Sequence, residues 1–346
     1  MAHGDIPAVE RQQHIYESLC RYFDEHENEV IEIEILPPAI EPTDGEALMQ
    51  DGSSLGIPKK ALVLAFMAAR QTFFDNKGNG RTDPKALQAT KVILLFDPEH
   101  ITAANFRKRR MLALRDADDM LVYQKALMAE LCFLDSILTS PLNRQTKSST
   151  LWWHRSWLLR LIAPLELKSA SGKRIAAIIS AALDSVCKSG ERHPKNYYAW
   201  QYARRLVAAL GRVAAEVDAP FPFDWVVSAF SDRVCNWCFK HPSDTSGWSF
   251  LLFLLARLDP VDERDEIVEK VLQYAAKVKS ENESLWVFVR NALAHPTLLE
   301  DRDAQIETLE ECLEDAKATE QDSAYLEYAK QSLLWIRTSG KPKPRP

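Results

Sequence analysis

The chain has 346 residues, of which 46% are hydrophobic and 27% charged, the balance of an ordinary globular protein. Its formal net charge of −6 excludes nucleic-acid binding driven by bulk positive charge. No segment approaches the roughly 20 apolar residues of a membrane-spanning helix. We therefore expect neither a nucleic-acid partner nor a membrane span.

The six cysteines are scattered along the chain, and its first residues contain no apolar signal core. Free thiols in a reducing compartment are the simplest interpretation of this pattern, although pairing is the alternative. We expect a cytoplasmic protein.

The N-terminal part of the chain changes pattern twice. Ile15, Leu19 and Phe23 recur at helical spacing and predict a first helix over residues 7–29. Strict alternation in VIEIEILPP then predicts a short extended segment. Residues 37–57, rich in Pro, Gly, Asp and Ser, predict a surface loop.

After Pro58 the pattern is helical almost to the end. The predicted domains are a helix with an extended or loop segment over residues 1–57, a helical repeat solenoid over 58–339, and a disordered tail over 340–346.

Five segments inside the helical part can be aligned as repeats. They cover residues 98–114, 146–162, 194–210, 242–258 and, as a partial match, 280–293. Each has a polar stretch, an anchor position and an apolar helix face. The anchors are Ala104, Trp152, Trp200, Trp248 and Trp286, with a spacing of 48 residues until the last, which follows after 38.

Between anchors there is room for a second helix, for example over 174–187 and 222–239. Because one helix pair cannot bury its own apolar face, pairs should stack into a curved solenoid. The period is too long for a 34-residue tetratricopeptide unit, while a HEAT-like array remains possible on period alone.

Two of the segments carry a family resemblance. PKNYYAWQYARR (194–205) and TKSSTLWWHRSWLL (146–159) resemble the signature repeat of protein prenyltransferase α subunits. EIEILPPAIEP, SSLGIPKKALVLAF and HPSDTSGW (241–248) are similar to one subgroup, the α subunits of type III geranylgeranyltransferases. The resemblance implies an all-α fold, a right-handed α-α superhelix forming a crescent of helix pairs.

The resemblance also implies a function. Such a chain scaffolds a catalytic β subunit of the Rab geranylgeranyltransferase type, and the pair transfers a geranylgeranyl group to a C-terminal cysteine of a protein substrate. Geranylgeranyl diphosphate lies at the subunit interface. The zinc belongs to the β subunit, so the resemblance implies no cofactor and no metal site in this chain, which should be inactive alone.

The resemblance assigns one lysine to the reaction. The family places it five residues before the Trp of the second repeat, which is Lys147 here. A loop lysine beside a helix N-terminus adds its charge to free N–H groups and the helix dipole, and so could stabilise the diphosphate leaving group. A solvated loop lysine is the alternative. The family's tyrosine two residues later is replaced by Ser149.

The third repeat supplies further candidates for contacts with the diphosphate, the isoprenoid or the β subunit: Lys195, Asn196, Tyr197 and Tyr198. For Asn196 and Tyr197 the alternative is capping and packing of their own turn. Arg155, the motif arginine of the second repeat, is a further candidate, and its alternative is an ion pair with a carboxylate of a neighbouring helix.

Weaker signals leave a second function open. Cys235 and Cys238 form one CxxC without further ligands, which disfavours zinc. The motif has decayed at Ala104, Ser149 and Leu251. A non-catalytic α-solenoid adaptor that keeps only the repeat fold is therefore the alternative to a prenyltransferase subunit.

Overall fold

The computed structural model describes residues 8–40, 42, 46–80, 82–167, 173–216, 223–319 and 323–339. Within these ranges the chain forms fifteen helices and three short strands. The helices are α1 (Ala8–Glu25), α2 (Lys59–Asn76), α3 (Pro84–Phe96), α4 (Ile101–Asp116), α5 (Met120–Leu138), α6 (Asn143–Thr146), α7 (Ser149–Leu167), α8 (Lys173–Arg192), α9 (Tyr197–Glu216), α10 (Phe223–Lys240), α11 (Thr245–Leu255), α12 (Asp262–Val278), α13 (Glu283–Ala294), α14 (Arg302–Thr319) and α15 (Ala324–Ser339).

The predicted all-α class is thus confirmed. No helix in the described part of the chain is long and apolar enough to cross a membrane. The handedness and crescent form of the superhelix, and the predicted domain boundaries, stay predictions. The tail at 340–346 lies outside the described residues.

The N-terminal segment contains more regular structure than a helix, one extended segment and a loop. Strand β1 (Glu32–Leu36) confirms the extended segment, but β2 (Met49–Asp51) and β3 (Ser54–Pro58) lie within the predicted loop. The three strands form one sheet in the order β1-β3-β2, with β1 parallel and β2 antiparallel to β3.

The loop prediction for 37–57 was therefore wrong at β2 and β3, whereas the described residues between β1 and β2 form no regular structure. Between β2 and β3 the chain turns at Gly52, whose φ of 53° lies in the left-handed region, where glycine has no steric penalty. The two-residue loop consists of Gly52 and Ser53, and Gly-Ser between two strands is a hairpin signal, but the flanking strands were too short to show clear alternation.

The chain divides into two compact units, Met1–Tyr202 and Ala203–Pro346. In the first, α2 packs against α1 and α3, while α5 packs against α4, α7 and α8. In the second, α10 packs against α11 and α12, and α13 packs against α11, α12, α14 and α15.

Four of the five repeats share one way of starting a helix. The residue four positions before the anchor is a cap, and its carbonyl oxygen accepts from the anchor's backbone N–H. These pairs are His100 with Ala104 at 3.2 Å, Ser148 with Trp152 at 3.1 Å, Asn196 with Trp200 at 3.3 Å and Asp244 with Trp248 at 3.3 Å. Side-chain acceptors at these positions also satisfy the first free N–H groups of a helix.

The tryptophan anchors are buried, each at most 2% exposed. In three of them the indole N–H donates to the carbonyl oxygen six residues earlier. The pairs are Trp152 with Thr146 at 2.8 Å, Trp248 with Pro242 at 2.9 Å and Trp286 with Ser280 at 2.8 Å. The anchor therefore both fills the core and holds the loop that precedes its helix.

Candidate functional site

Lys147 lies in the short connection between α6 and α7. It follows the single helical turn of α6, and its backbone N–H donates to the Asn143 carbonyl at 3.2 Å. The side chain is half-buried and lines an open groove of about 610 Å³ together with Ser149 and Tyr198. The structure thus brings together three positions that the sequence motif singles out in two different repeats.

The two tyrosines at the start of α9 are exposed. Tyr197 is 60% and Tyr198 42% exposed, and their rings meet edge to face with centroids 5.6 Å apart. Lys195, just before them, is exposed and has a φ of 61°, a backbone conformation that is uncommon for a residue with a side chain. All three are accessible to a ligand or a partner, and of these Tyr198 lines the groove.

Asn196, unlike the exposed residues beside it, is packed inside the protein. It is fully buried, and its amide donates to the Thr146 carbonyl at 3.0 Å and to Ser189 Oγ at 2.7 Å. Its Oδ1 accepts weakly from the Ala199 N–H at 3.4 Å. The capping alternative therefore describes Asn196, which also joins two successive repeats.

Arg155 lies in the core of the first unit. Its guanidinium is 1% exposed and donates to both carboxylate oxygens of Asp135, at 2.6 and 3.0 Å. It also donates to the Tyr202 hydroxyl and, at 3.3 Å, to Ser185 Oγ. Burial alone would lower the pKa of Arg155, but Asp135 raises it overall.

The predicted ligand contact of Arg155 therefore needs correction: the side chain has no free surface in this chain, and the ion-pair alternative describes it. The motif arginine of the first repeat is also buried and ion-paired. Arg107 is 3% exposed and pairs with Glu130, at 2.8 and 2.5 Å. Both carboxylates belong to α5, so one helix neutralises two repeat arginines.

Glu99 was not predicted as part of this site. Its carboxylate accepts from the hydroxyls of Ser148 and Thr150, both at 2.5 Å, and of Ser149 at 3.3 Å. The Thr150 backbone N–H donates to it at 3.4 Å. Burial would raise the pKa of Glu99, but the bonds from Ser148 and Thr150 lower it overall.

The first turn of α7 is thus already occupied by a carboxylate. Ser148 Oγ also accepts from the Leu151 N–H at 3.1 Å. The expectation that Lys147 stands beside free N–H groups is corrected accordingly. Nothing in the local sequence pointed to this, because Glu99 belongs to the preceding repeat.

The charges around the groove are unevenly paired. Arg144 donates to Asp97 at 2.6 Å, whereas no described residue forms an ion pair with the Lys147 ammonium. His193 lies near enough that its pKa is lowered, first by burial and also by the charge of Lys147. Lys147 is therefore a cation open to an anionic ligand, and the Glu99 carboxylate lines the same groove.

The described residues contain no group of three or more His, Cys, Asp or Glu side chains placed to hold a metal ion. Cys235 and Cys238 are both buried in α10. Burial raises the pKa of Cys235 to about 12, so this thiol stays protonated and packs.

The described residues form an α-helical repeat protein, whose units are anchored by buried tryptophans and joined by capping side chains. A family model, the ECM9 middle domain, matches residues 153–260. Geranylgeranyl transferase type-2 subunit alpha from Dictyostelium discoideum is 31% identical over 97 residues, 28% of each chain. The proteins of that name from Bos taurus and Mus musculus are 30% and 29% identical over 158 residues, 45% of this chain and 24% of theirs.

The chain thus matches about a quarter of the length of these relatives. This similarity, at about 30% identity, supports the resemblance to the protein prenyltransferase α-subunit family that the repeat motifs indicate.

Proposed function

We propose that this chain is the α subunit of a heterodimeric protein prenyltransferase, of the geranylgeranyltransferase type III kind, and that it acts in the cytoplasm. It would pair with a β subunit of the Rab geranylgeranyltransferase type and help to transfer a geranylgeranyl group from its diphosphate to a cysteine of a protein substrate. The support is the similarity to α subunits of type-2 geranylgeranyl transferases.

The observation that carries the site assignment is the groove shared by Lys147, Ser149 and Tyr198. An ammonium group that lines an open groove can approach a diphosphate held by the partner. As the carbon–oxygen bond to the diphosphate breaks, negative charge grows on the leaving group, and Lys147 stabilises it. Zinc in the β subunit would hold the substrate thiolate, and no step in this chain depends on a metal.

The subunit role is tested by co-expressing the full chain with a Rab-type β subunit. A stable complex that transfers labelled geranylgeranyl to a protein ending in cysteine is expected, and competition with labelled farnesyl diphosphate tests the donor. A chain that forms no complex, or a complex with no transfer, would overturn the proposal.

The role of Lys147 is tested separately in that complex. Lys147→Ala should lower kcat by about 100-fold, the effect of removing one donor that stabilises transition-state charge, with a smaller change in KM. Lys125→Ala is the matched control, because Lys125 is exposed on α5 and lies outside the groove. Unchanged kcat in Lys147→Ala refutes the residue assignment and leaves the subunit role intact.

The second candidate is the adaptor, and one observation favours it. The Glu99 carboxylate already uses the hydroxyls and one N–H group at the start of α7, so a diphosphate must either displace it or bind through Lys147 alone. An adaptor would form complexes with proteins other than a prenyltransferase β subunit and would support no transfer.

A further inference from the structure

A second cavity lies in the first unit, away from the groove of Lys147. It has a volume of about 170 Å³ and is surrounded by α1, α3, α4 and α5. Its apolar wall includes Phe23, Leu87 and Phe133. An engineered cavity of about 150 Å³ admits benzene, so this one can hold a ligand of that size.

Three cationic side chains line the cavity, and two of them are paired. Lys91 donates to Asp24 Oδ1 at 2.9 Å and to the Phe23 carbonyl at 3.4 Å. Arg107 is bound through both oxygens of Glu130. Because each of these buried charges has its own carboxylate, neither attracts a further anion strongly.

Arg110 is the third cation and is different. It is half-buried and lines the cavity, yet no described residue accepts a hydrogen bond from it or forms an ion pair with it. Burial lowers its pKa, and the charge of Arg107 lowers it further. Glu130 and Glu27 act on it only over distance, and Glu130 is already engaged by Arg107.

Arg110 lines a partly open cavity, so water can complete the hydrogen bonds of its guanidinium, and a ligand would have to replace that water. Bidentate pairing with a carboxylate is the strongest match to the planar guanidinium donors. The exposed carboxylates Glu27 and Glu29 also line the cavity, and they repel an anion more strongly the more negative charge it carries. Arg110 and the apolar wall therefore fit a ligand with an apolar body and no more than one negative charge.

We infer that this cavity binds a small aromatic monocarboxylate, with the acid group on Arg110 and the ring against Phe23, Leu87 and Phe133. The site combines a few placed polar groups with an apolar wall, as small-molecule sites do. This inference does not depend on the proposed prenyltransferase role.

The test is calorimetric titration of the full chain with benzoate, with benzamide as the uncharged analogue and inorganic diphosphate as the multiply charged anion. Benzoate should bind at least tenfold more tightly than either. Arg110→Gln should weaken benzoate binding at least tenfold. Arg109→Gln is the matched control, because Arg109 is the exposed neighbour on the same helix and does not line the cavity.

Ala129→Leu is a second variant that fills the cavity without changing its charge, and it should also abolish binding. Arg110→Gln should unfold at a temperature no lower than the wild type, since it removes an unpaired charge. The inference is overturned if benzoate does not bind, if benzamide binds equally well, or if binding survives both Arg110→Gln and Ala129→Leu.

Discussion

The buried pair between Arg155 and Asp135 gives the sharpest test of the fold. Asp135→Asn keeps the shape of the side chain but removes the charge opposite a guanidinium that is 1% exposed. Because an uncompensated charge then remains in the core, unfolding should become easier by about 3–5 kcal/mol. This is a large part of the roughly 5–15 kcal/mol that stabilises a typical domain.

The assay is urea unfolding of the isolated chain followed by circular dichroism, with hydrogen exchange to locate the loss to α5 and α7. The double variant Arg155→Met, Asp135→Leu should recover most of the stability, since apolar replacement of a buried pair is often neutral. Recovery will be incomplete because the hydroxyls of Tyr202 and Ser185 lose a donor.

The matched control is Asp116→Asn, which removes an exposed partner of Arg115 and should leave the unfolding midpoint unchanged. If Asp135→Asn unfolds at the same urea concentration as the wild type, the pair does not hold the core, and Arg155 becomes available again for a role in binding.

Three further predictions concern the repeat loops and caps. Trp248→Phe leaves the Pro242 carbonyl without its indole donor and should destabilise the chain by at least about 1–3 kcal/mol in urea unfolding. Gly247→Ala, which in an open helix would gain up to about 1 kcal/mol, should instead lose about 1–3 kcal/mol, because the new Cβ would stand 2.6 Å from Trp237 Cζ3. The pKa of Glu99 lies below its ordinary value of 4.5. The Glu99 carboxylate therefore stabilises the chain above pH 4.5, and this stabilisation is lost as the pH falls through the lowered pKa. Glu99→Gln should be less stable than the wild type at neutral pH and approach it in acid.

Each of these has an opposing result, and two have a control. Trp225, which is 62% exposed, should tolerate change to Phe, and equal losses at both tryptophans would contradict a specific role for the indole bond. A more stable Gly247→Ala would mean that the Trp237 ring moves aside freely. If the difference in stability between wild type and Glu99→Gln stays constant from neutral to acid pH, the charge of the Glu99 carboxylate does not stabilise the chain. The control is Glu283→Gln, an exposed change in another helix, which should differ little from the wild type in stability at any pH.

The repeat period predicted the helices well, because the buried positions of each repeat are apolar and recur at a regular spacing in the sequence. Trp152, Trp200 and Trp248 marked three helix starts correctly, and the ion-pair alternative for Arg155 followed from the same register. The N-terminal sheet was missed, since strands of three and five residues carry too few positions to reveal a period.

The candidate site was less accessible to sequence reasoning. The motif named Lys147 and Tyr198, which do share a groove, but Asn196 belongs to the same motif and is buried. Glu99 was not predicted because its contacts span about one whole repeat. A contact between residues of two different repeats produces no local sequence pattern.

The Thr146 carbonyl has a consequence for biosynthesis. It accepts from the Trp152 indole of its own repeat and from the Asn196 amide of the next, at 2.8 and 3.0 Å. During translation the first bond can form once Trp152 has left the ribosome, whereas the second must wait until about 45 more residues have emerged. This loop is thus completed by the next repeat, which gives the growing chain a direction in which these two repeats mature.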